Sequence, residues 1–297
     1  MIRGKSVNVF LTTGDINGII KATVSNWQGV AFKIPRTLID KAKARPELSF
    51  TGVYFLFGHD NESDRETVYI GQAGERVAGT GVLQRIIEHQ TDRLRDDWTE
   101  AVAFVTKDNS LGATDITFLE HYFYKLACES KRYKVINGNT PMQGNVTEEK
   151  ESDLLYFTDH ASLILGVLGH KVFEPLFKAE CEQPVVDDEP TLFLTFRNNG
   201  AYDARGKRTS DGFVIFKGSK IAERVAPSCP NSAKTLREKS KDIIVDFVLT
   251  DDVFASSASN AAAFVTGTSI NGNTAWKTAE GKSINDLERE SANNPGN

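Results

Sequence analysis

Six side chains in this sequence combine the types needed to move a proton beside an anionic centre. They are the phenols Tyr54 and Tyr69, the guanidinium of Arg85, the imidazole of His89, the carboxylate of Glu120 and the amide of Asn137. A carboxylate can hold a hard divalent cation, a guanidinium offers a rigid fork of donors to phosphate, and an imidazole exchanges protons near neutrality. A free phenol, with a pKa of about 10, is a poor base until a neighbouring cation lowers it. Each residue also has an ordinary structural reading. A hairpin tyrosine buries its ring and leaves its hydroxyl at a wet edge. Arg85 can pair with a nearby acid along its own helix, and Glu120 can lie on a solvated helix face.

These residues must be held by elements that the sequence also announces. Gly52-Val53-Tyr54-Phe55-Leu56-Phe57 and Thr67-Val68-Tyr69-Ile70-Gly71 are rich in aromatic and β-branched residues, which predicts two paired strands. The polar linker from Phe57 to Glu66 is long, and Gly71 to Gly74 reads as a flexible exit in which Gly71 lets the chain turn sharply. Residues 82–95 have helical spacing, with Val82, Leu83, Ile86, Ile87 and Leu94 apolar, so Arg85 and His89 share a face. A strand is expected over 97–105. A second helix over 115–128 carries Ile116, Leu119, Phe123 and Leu126 on one stripe, with Glu120 beside it. His121 then points another way, and His59, His160 and His170 show no metal-ligand spacing.

Taken in order, the two tripeptides, Arg85-x-x-x-His89, Glu120 and Asn137 resemble the GIY-YIG nuclease family over roughly residues 50 to 140. Gly52-Val53-Tyr54 corresponds to the first half of the family motif with Val in place of Ile, and Tyr69-Ile70-Gly71 matches the second half. The resemblance implies a Mg²⁺-dependent DNA endonuclease (Mn²⁺ serving as well) that hydrolyses phosphodiesters with one metal ion. It implies Glu120 as metal ligand, Arg85 on the phosphate, Tyr54 accepting the proton of water, and His89 taking protons or holding a tyrosine. Tyr69 would orient water or phosphate, with Gly71 and Asn137 in support. The partner implied is DNA, in a restriction, repair or mobile-element setting. The rival reading is a non-catalytic DNA-binding or defence-system accessory protein that keeps the nuclease fold.

The remainder of the chain supplies the frame. Residues 6–34 alternate as a β meander, and Asn145 with Glu148 reads as the start of a helix striped by Leu154, Phe157, Ala161, Ile164 and Leu168. Residues 182–190, proline- and acid-rich, read as a linker. Beyond it, strands are expected at 191–196 and 212–216, a turn at 198–200, and helices at 231–239 and 256–265. The run from Asp211-Gly212-Phe213-Val214 through Ala261-Ala262-Ala263 to Trp276-Lys277 resembles an uncharacterised domain that accompanies some GIY-YIG proteins, and more faintly a module attached to restriction enzymes and adenine methylases. The fold class expected is α+β: a small mixed sheet flanked by helices, plus a separate C-terminal α+β domain. The boundaries are 1–50 for a β-rich extension, 51–141 for the nuclease-like domain, 142–190 for a helical connector and acidic linker, and 191–290 for an accessory domain.

Composition narrows the classes. A chain of 297 residues that is 40% hydrophobic can bury a sizeable core, and no apolar run reaches the length of a membrane span. The expectation is therefore a soluble, cytoplasmic protein with no membrane partner. Three scattered cysteines, Cys128, Cys181 and Cys229, fit neither a disulfide framework nor a zinc ribbon. The net charge of −5 is uneven: residues 141–190 hold three Lys/Arg against eleven Asp/Glu. DNA affinity would then come from local patches such as Arg205, Lys207, Arg208, Lys217 and Lys220, which would grip phosphates without choosing a sequence. Gly74-x-x-x-x-Gly79 lacks the Lys-Ser/Thr of a P-loop, and Gly79-x-Gly81 lacks the third glycine of a dinucleotide fingerprint.

Overall fold

The alternating apolar residues of the N-terminal half pair into one seven-stranded sheet. In a computed structural model of the chain, residues 4–60, 65–74, 81–90, 97–175, 189–195 and 202–293 are described. The strands are β1 (Val7–Leu11), β2 (Ile20–Val24), β3 (Gly29–Pro35), β4 (Gly52–Asp60), β5 (Arg65–Ala73), β6 (Trp98–Thr106) and β7 (Lys134–Val135). Their spatial order is β1-β2-β3-β6-β4-β5-β7. Every neighbouring pair is antiparallel except β5 with β7, so the sheet is mixed, as expected.

Period-two alternation along β4 sends Val53, Phe55 and Phe57 to one core and Tyr54 and Leu56 to the other. On the first face lie α3 (Ala113–Ser130), through Ile116, Leu119 and Phe123, and α4 (Glu148–Val167), through Leu154, Phe157, Ala161 and Ile164. On the second lie α1 (Ile39–Ala42), through Ile39 and Ala42, and α2 (Val82–Glu88), through Val82, Leu83 and Ile86. Each fully buried Phe, Leu or Ile on these stripes contributes roughly 1.5–3 kcal/mol relative to exposure.

Several expectations are redrawn here. Residues 1–50 are not a separate extension, because β3 pairs with β6 from Gly29–Thr106 to Pro35–Glu100 and carries β1 and β2 into the same sheet. The sheet is correspondingly larger than the small one expected. The helix read as a connector is α4, and its apolar stripe packs on that sheet. Its cap is Thr147, whose hydroxyl accepts from the Lys150 N–H, rather than Asn145. The long polar linker of the hairpin is mostly strand: His59 pairs with Glu66 and Asp60 with Arg65. Residues 61–64 between them lie outside the described residues.

A polar cluster ties the C-terminal end of α4 to the sheet. Lys33 Nζ lies 2.9 Å and His170 Nε2 2.6 Å from the two oxygens of Glu100, and the His170 ring stacks on Phe57 at 3.6 Å between centroids. Burial by itself would raise the Glu100 carboxyl, but the hydrogen bonds from His170 and Lys33 hold it below its ordinary value.

The chain divides into two units, Met1–Pro175 and Leu176–Asn297. The second is also α+β. It holds the strands β8 (Leu192–Thr195), β9 (Asp203–Thr209), β10 (Gly212–Ile215), β11 (Ile244–Val245), β12 (Val248–Leu249) and β13 (Val253–Ala255). Four of these form an antiparallel sheet in the order β13-β10-β9-β8, while β11 and β12 pair separately. Its helices are α5 (Asn231–Lys239), α6 (Ala258–Thr266), α7 (Gly272–Ala275) and α8 (Ile284–Asn293). Phe213, Phe264 and Trp276 centre its core. The turn expected at 198–200 and most of the acidic linker lie outside the described residues. No helix among the described residues is long and apolar enough to cross a membrane.

Candidate functional site

The site begins with a missing side chain. Tyr54 pairs with Gly71 across β4 and β5, and a Cβ at Gly71 would lie 2.4 Å from both Cζ and the hydroxyl of Tyr54. The glycine lets the phenol lie across the neighbouring strand and carry its hydroxyl towards the far side of β5. Gly71 therefore sits inside an extended strand and makes room, where a sharp turn was expected. The flexible exit is likewise strand as far as Ala73.

On the far side of β5 the sheet is only partly covered. β7 pairs with Thr67 and Val68, the Ile136 N–H reaches the Val68 carbonyl, and Asn137 then closes on Ile70. The Ile70 N–H donates to Asn137 Oδ1 at 3.1 Å, and Asn137 Nδ2 donates to the Ile70 carbonyl at 2.7 Å. The amide thus acts as one further residue of a strand. Beyond Ile70, among the described residues, no strand pairs with this edge of β5.

A cleft of about 540 Å³ opens there between α2 and the start of α3. Tyr54, Tyr69, Gln72, Gln84, Arg85, Glu88, Thr117 and Glu120 give it its polar wall. Four of the residues singled out in the sequence thus meet in one place: Tyr54, Tyr69, Arg85 and Glu120. His89 is buried behind them, with Nε2 2.8 Å from the Tyr54 hydroxyl and its ring 5.0 Å from that of Tyr69. Asn137 and Gly71 act on the backbone and the ring packing rather than on the cleft wall. His121 is turned away, its Nδ1 donating to the Pro141 carbonyl at 2.9 Å.

Burial dominates the electrostatics. It pushes the Tyr54 phenol well above its ordinary value; Tyr69 and Glu120 add to this, and the Arg85 charge opposes it. Burial also raises the Glu120 carboxyl, with the Gln72 amide and Arg85 pulling the other way. The Arg85 guanidinium is held in its charged form chiefly by Glu88, whose Oε2 is 2.5 Å from Nη1. Among the described residues no group of three or more His, Cys, Asp or Glu side chains gathers as a metal cage. Glu120 alone offers a desolvated carboxylate beside hydroxyls and a guanidinium. That donor set suits a hard cation that keeps most of its waters.

Sequence reasoning missed Gln72, Gln84, Glu88 and Thr117. Thr117 and Glu88 each stand three residues from a chosen residue on the same helix, a spacing that places them on one face. Gln72 could not be found so, because alternation sends it to the opposite face of β5 from Gly71.

The five basic residues proposed to grip DNA lie in the second unit. Arg205, Lys217 and Lys220 are exposed, and Lys207 is half-buried. Arg208 differs. Its guanidinium donates to both oxygens of Glu189, at 2.9 and 2.7 Å, and to Glu288 at 2.7 Å, so its fork is engaged by carboxylates within the protein.

Residues 194–288 of this unit match the model of a family described as Domain of unknown function (DUF4357). This is the stretch in which the sequence resembles an uncharacterised accessory domain. No curated protein and no solved structure matched the chain.

Proposed function

We propose that the cleft beside β5 hydrolyses phosphodiester bonds in DNA with the aid of a divalent cation, Mg²⁺ in the first instance, and that the first unit is a GIY-YIG-like nuclease domain. The observation that supports this reading is the convergence of Tyr54, Tyr69, Arg85 and Glu120 on one cleft from two strands and two helices. The resemblance of their order to the GIY-YIG family supplies the reaction.

Glu120 would hold the ion, which when bound supplies positive charge to the phosphoryl oxygens and lowers the pKa of nearby water. Arg85, on the opposite wall, meets a phosphate oxygen with a guanidinium that never loses its charge. Tyr54 is too buried to wait as a phenolate, so it works as a relay. As its oxygen takes the proton of the attacking water, its own proton passes to His89 Nε2 at 2.8 Å. The phenol stays neutral throughout, as its surroundings require. Tyr69 lies alongside, with its ring centroid 6.1 Å from that of Tyr54, and orients the water or the phosphate.

The test is nicking of supercoiled plasmid in Mg²⁺ by wild type, Tyr54→Phe, Arg85→Ala and Glu120→Ala. Each variant is expected to be about 100-fold slower or more, the scale of removing one transition-state interaction. Equal cleavage by all four would overturn the assignment.

The second reading, a DNA-binding accessory protein without activity, is favoured by one feature. Glu88 already engages Arg85, and with Glu120 it gives the cleft, among the described residues, more negative than positive side chains. Tight DNA binding by wild type without cleavage in any divalent cation would select it.

A further inference from the structure

Beside the edge of β5 a single residue among those described hydrogen-bonds Glu120. Ile70 turns its N–H and carbonyl to that edge, where Asn137 takes both. Two residues on, Gln72 presents its backbone to the same edge, now with no strand beside it among the described residues. Its side-chain Nε2 donates to Glu120 Oε2 at 2.9 Å. The Thr117 hydroxyl, one turn before Glu120 on α3, lies 3.2 Å from Gln72 Oε1 and 2.9 Å from the Ala113 carbonyl, so its single proton can serve either. Turned to Gln72, it fixes the amide with the NH₂ facing the carboxylate. The reversed amide would set a carbonyl against an ionised carboxylate.

We propose that Gln72 is the positioning residue of Glu120, its side-chain amide fixing the carboxylate beside the edge of β5 for the cation. This rests on the nuclease reading of the cleft and assigns the part of it that no catalytic residue performs. A carboxylate that is to meet a cation has to be held in one orientation, and the Gln72 amide supplies that hold. Among the described residues, the other ionisable groups lining the cleft are Tyr54 and Tyr69 from the sheet and Arg85 and Glu88 from α2. On α3 itself Asp115 is paired with Lys150, and His121 is bonded to the Pro141 carbonyl. Among the described residues Gln72 is the neutral donor bonded to the carboxylate, able to fix it without competing as a cation.

The test uses the full chain and three variants. Gln72→Met keeps length and removes the hydrogen bond; Gln72→Lys replaces a neutral donor with a charged one; Glu120→Gln identifies the Glu120 signal. In metal-free protein labelled with ¹³C at the glutamate carboxyls, the resonance that disappears in Glu120→Gln is followed at pH 7. It is expected to move in Gln72→Met, which lacks the donor, and to stay closer to wild type in Gln72→Lys, which keeps one, a difference that a purely structural role does not produce. Mn²⁺ binding, followed by the decrease of the free-ion EPR signal, is expected to weaken by about tenfold or more in Gln72→Met, with nicking restored at high Mg²⁺. An unmoved carboxyl resonance and unchanged Mn²⁺ affinity in a folded Gln72→Met, beside a wild type that binds Mn²⁺ and nicks, would overturn the role of Gln72 alone. A wild type that neither binds Mn²⁺ nor nicks would overturn the nuclease reading and this inference together.

Discussion

Tyr54 and Gly71 are a single design at the level of the residue. The phenol reaches the edge of β5 only because the opposite residue has no Cβ, so Gly71→Ala forces ring or strand to move. Overpacking of this kind costs about 1–3 kcal/mol. A thermal melt of Gly71→Ala should show that destabilisation, and nicking should fall with it because the hydroxyl leaves the reach of His89. Glu120 carries a different cost. Its carboxyl is raised by burial, so above that raised value the folded chain holds a charge that the unfolded chain bears more easily. As pH falls through the raised value the native state takes up the proton first, and the penalty disappears. Glu120→Gln is therefore expected to melt about 1–3 °C higher than wild type at pH 7, an advantage that fades as the pH falls below the raised value. A lower melting temperature at pH 7 would show that Glu120 serves stability rather than a ligand. The two tyrosines, Arg85, His89 and Glu120 were legible because their types and order are unusual together. Gln72 was not, since its partner arrives from α3, far along the sequence, and only the packing of that helix against β5 makes the two meet.

Elements decide how firmly the cleft is held. Asn137 ends the coverage of β5 by imitating a strand residue, and each of its two hydrogen bonds to Ile70 contributes about 1 kcal/mol. Asn137→Ala should speed deuterium exchange at the Ile70 amide several-fold more than in strands β3 and β6. Asn137→Asp keeps the acceptor but turns a second carboxylate oxygen to the Ile70 carbonyl, and should be worse than alanine. Protection equal to wild type in both would contradict the role given to Asn137. The hairpin and the helical stripes were readable from periodicity, as were α5 and α6. Other elements were not. β9 reads as a charged loop, because its inward positions near the core are Ala204 and Gly206, too small to register as an apolar stripe. The stripe of α4 was visible, but not its place on the sheet, which depends on interactions such as those of Lys33 and His170 with Glu100.

For the whole molecule, an acidic protein with a net charge of −5 must concentrate any affinity for DNA in patches. In the second unit Lys217 and Lys220 are exposed, whereas Arg208 is already bound by Glu189 and Glu288. Replacing Lys217 and Lys220 by alanine should weaken DNA binding and reduce the slope of log affinity against log salt by about 0.9 for each phosphate no longer neutralised. Arg208→Ala should leave that slope unchanged and lower the melting temperature instead. A fall in slope for Arg208→Ala would mean that its carboxylate partners release it to the DNA. The first unit runs from the N-terminal strands through α4 to Pro175, so the division falls ahead of the acidic linker that composition marked. Long-range pairing of β3 with β6 and the packing of α4 are tertiary facts that local pattern does not carry.

The nuclease reading stands or falls on whether this cleft breaks phosphodiester bonds. The most direct measurement is a single-turnover time course of wild-type chain on duplex, branched and modified DNA, with Mg²⁺ and with chelator, run beside Glu120→Ala. Mg²⁺-dependent strand cleavage of at least one of these DNAs by wild type, abolished in the folded Glu120→Ala variant, is the predicted result. No cleavage of any of them by wild type, or cleavage that survives in Glu120→Ala, would contradict it.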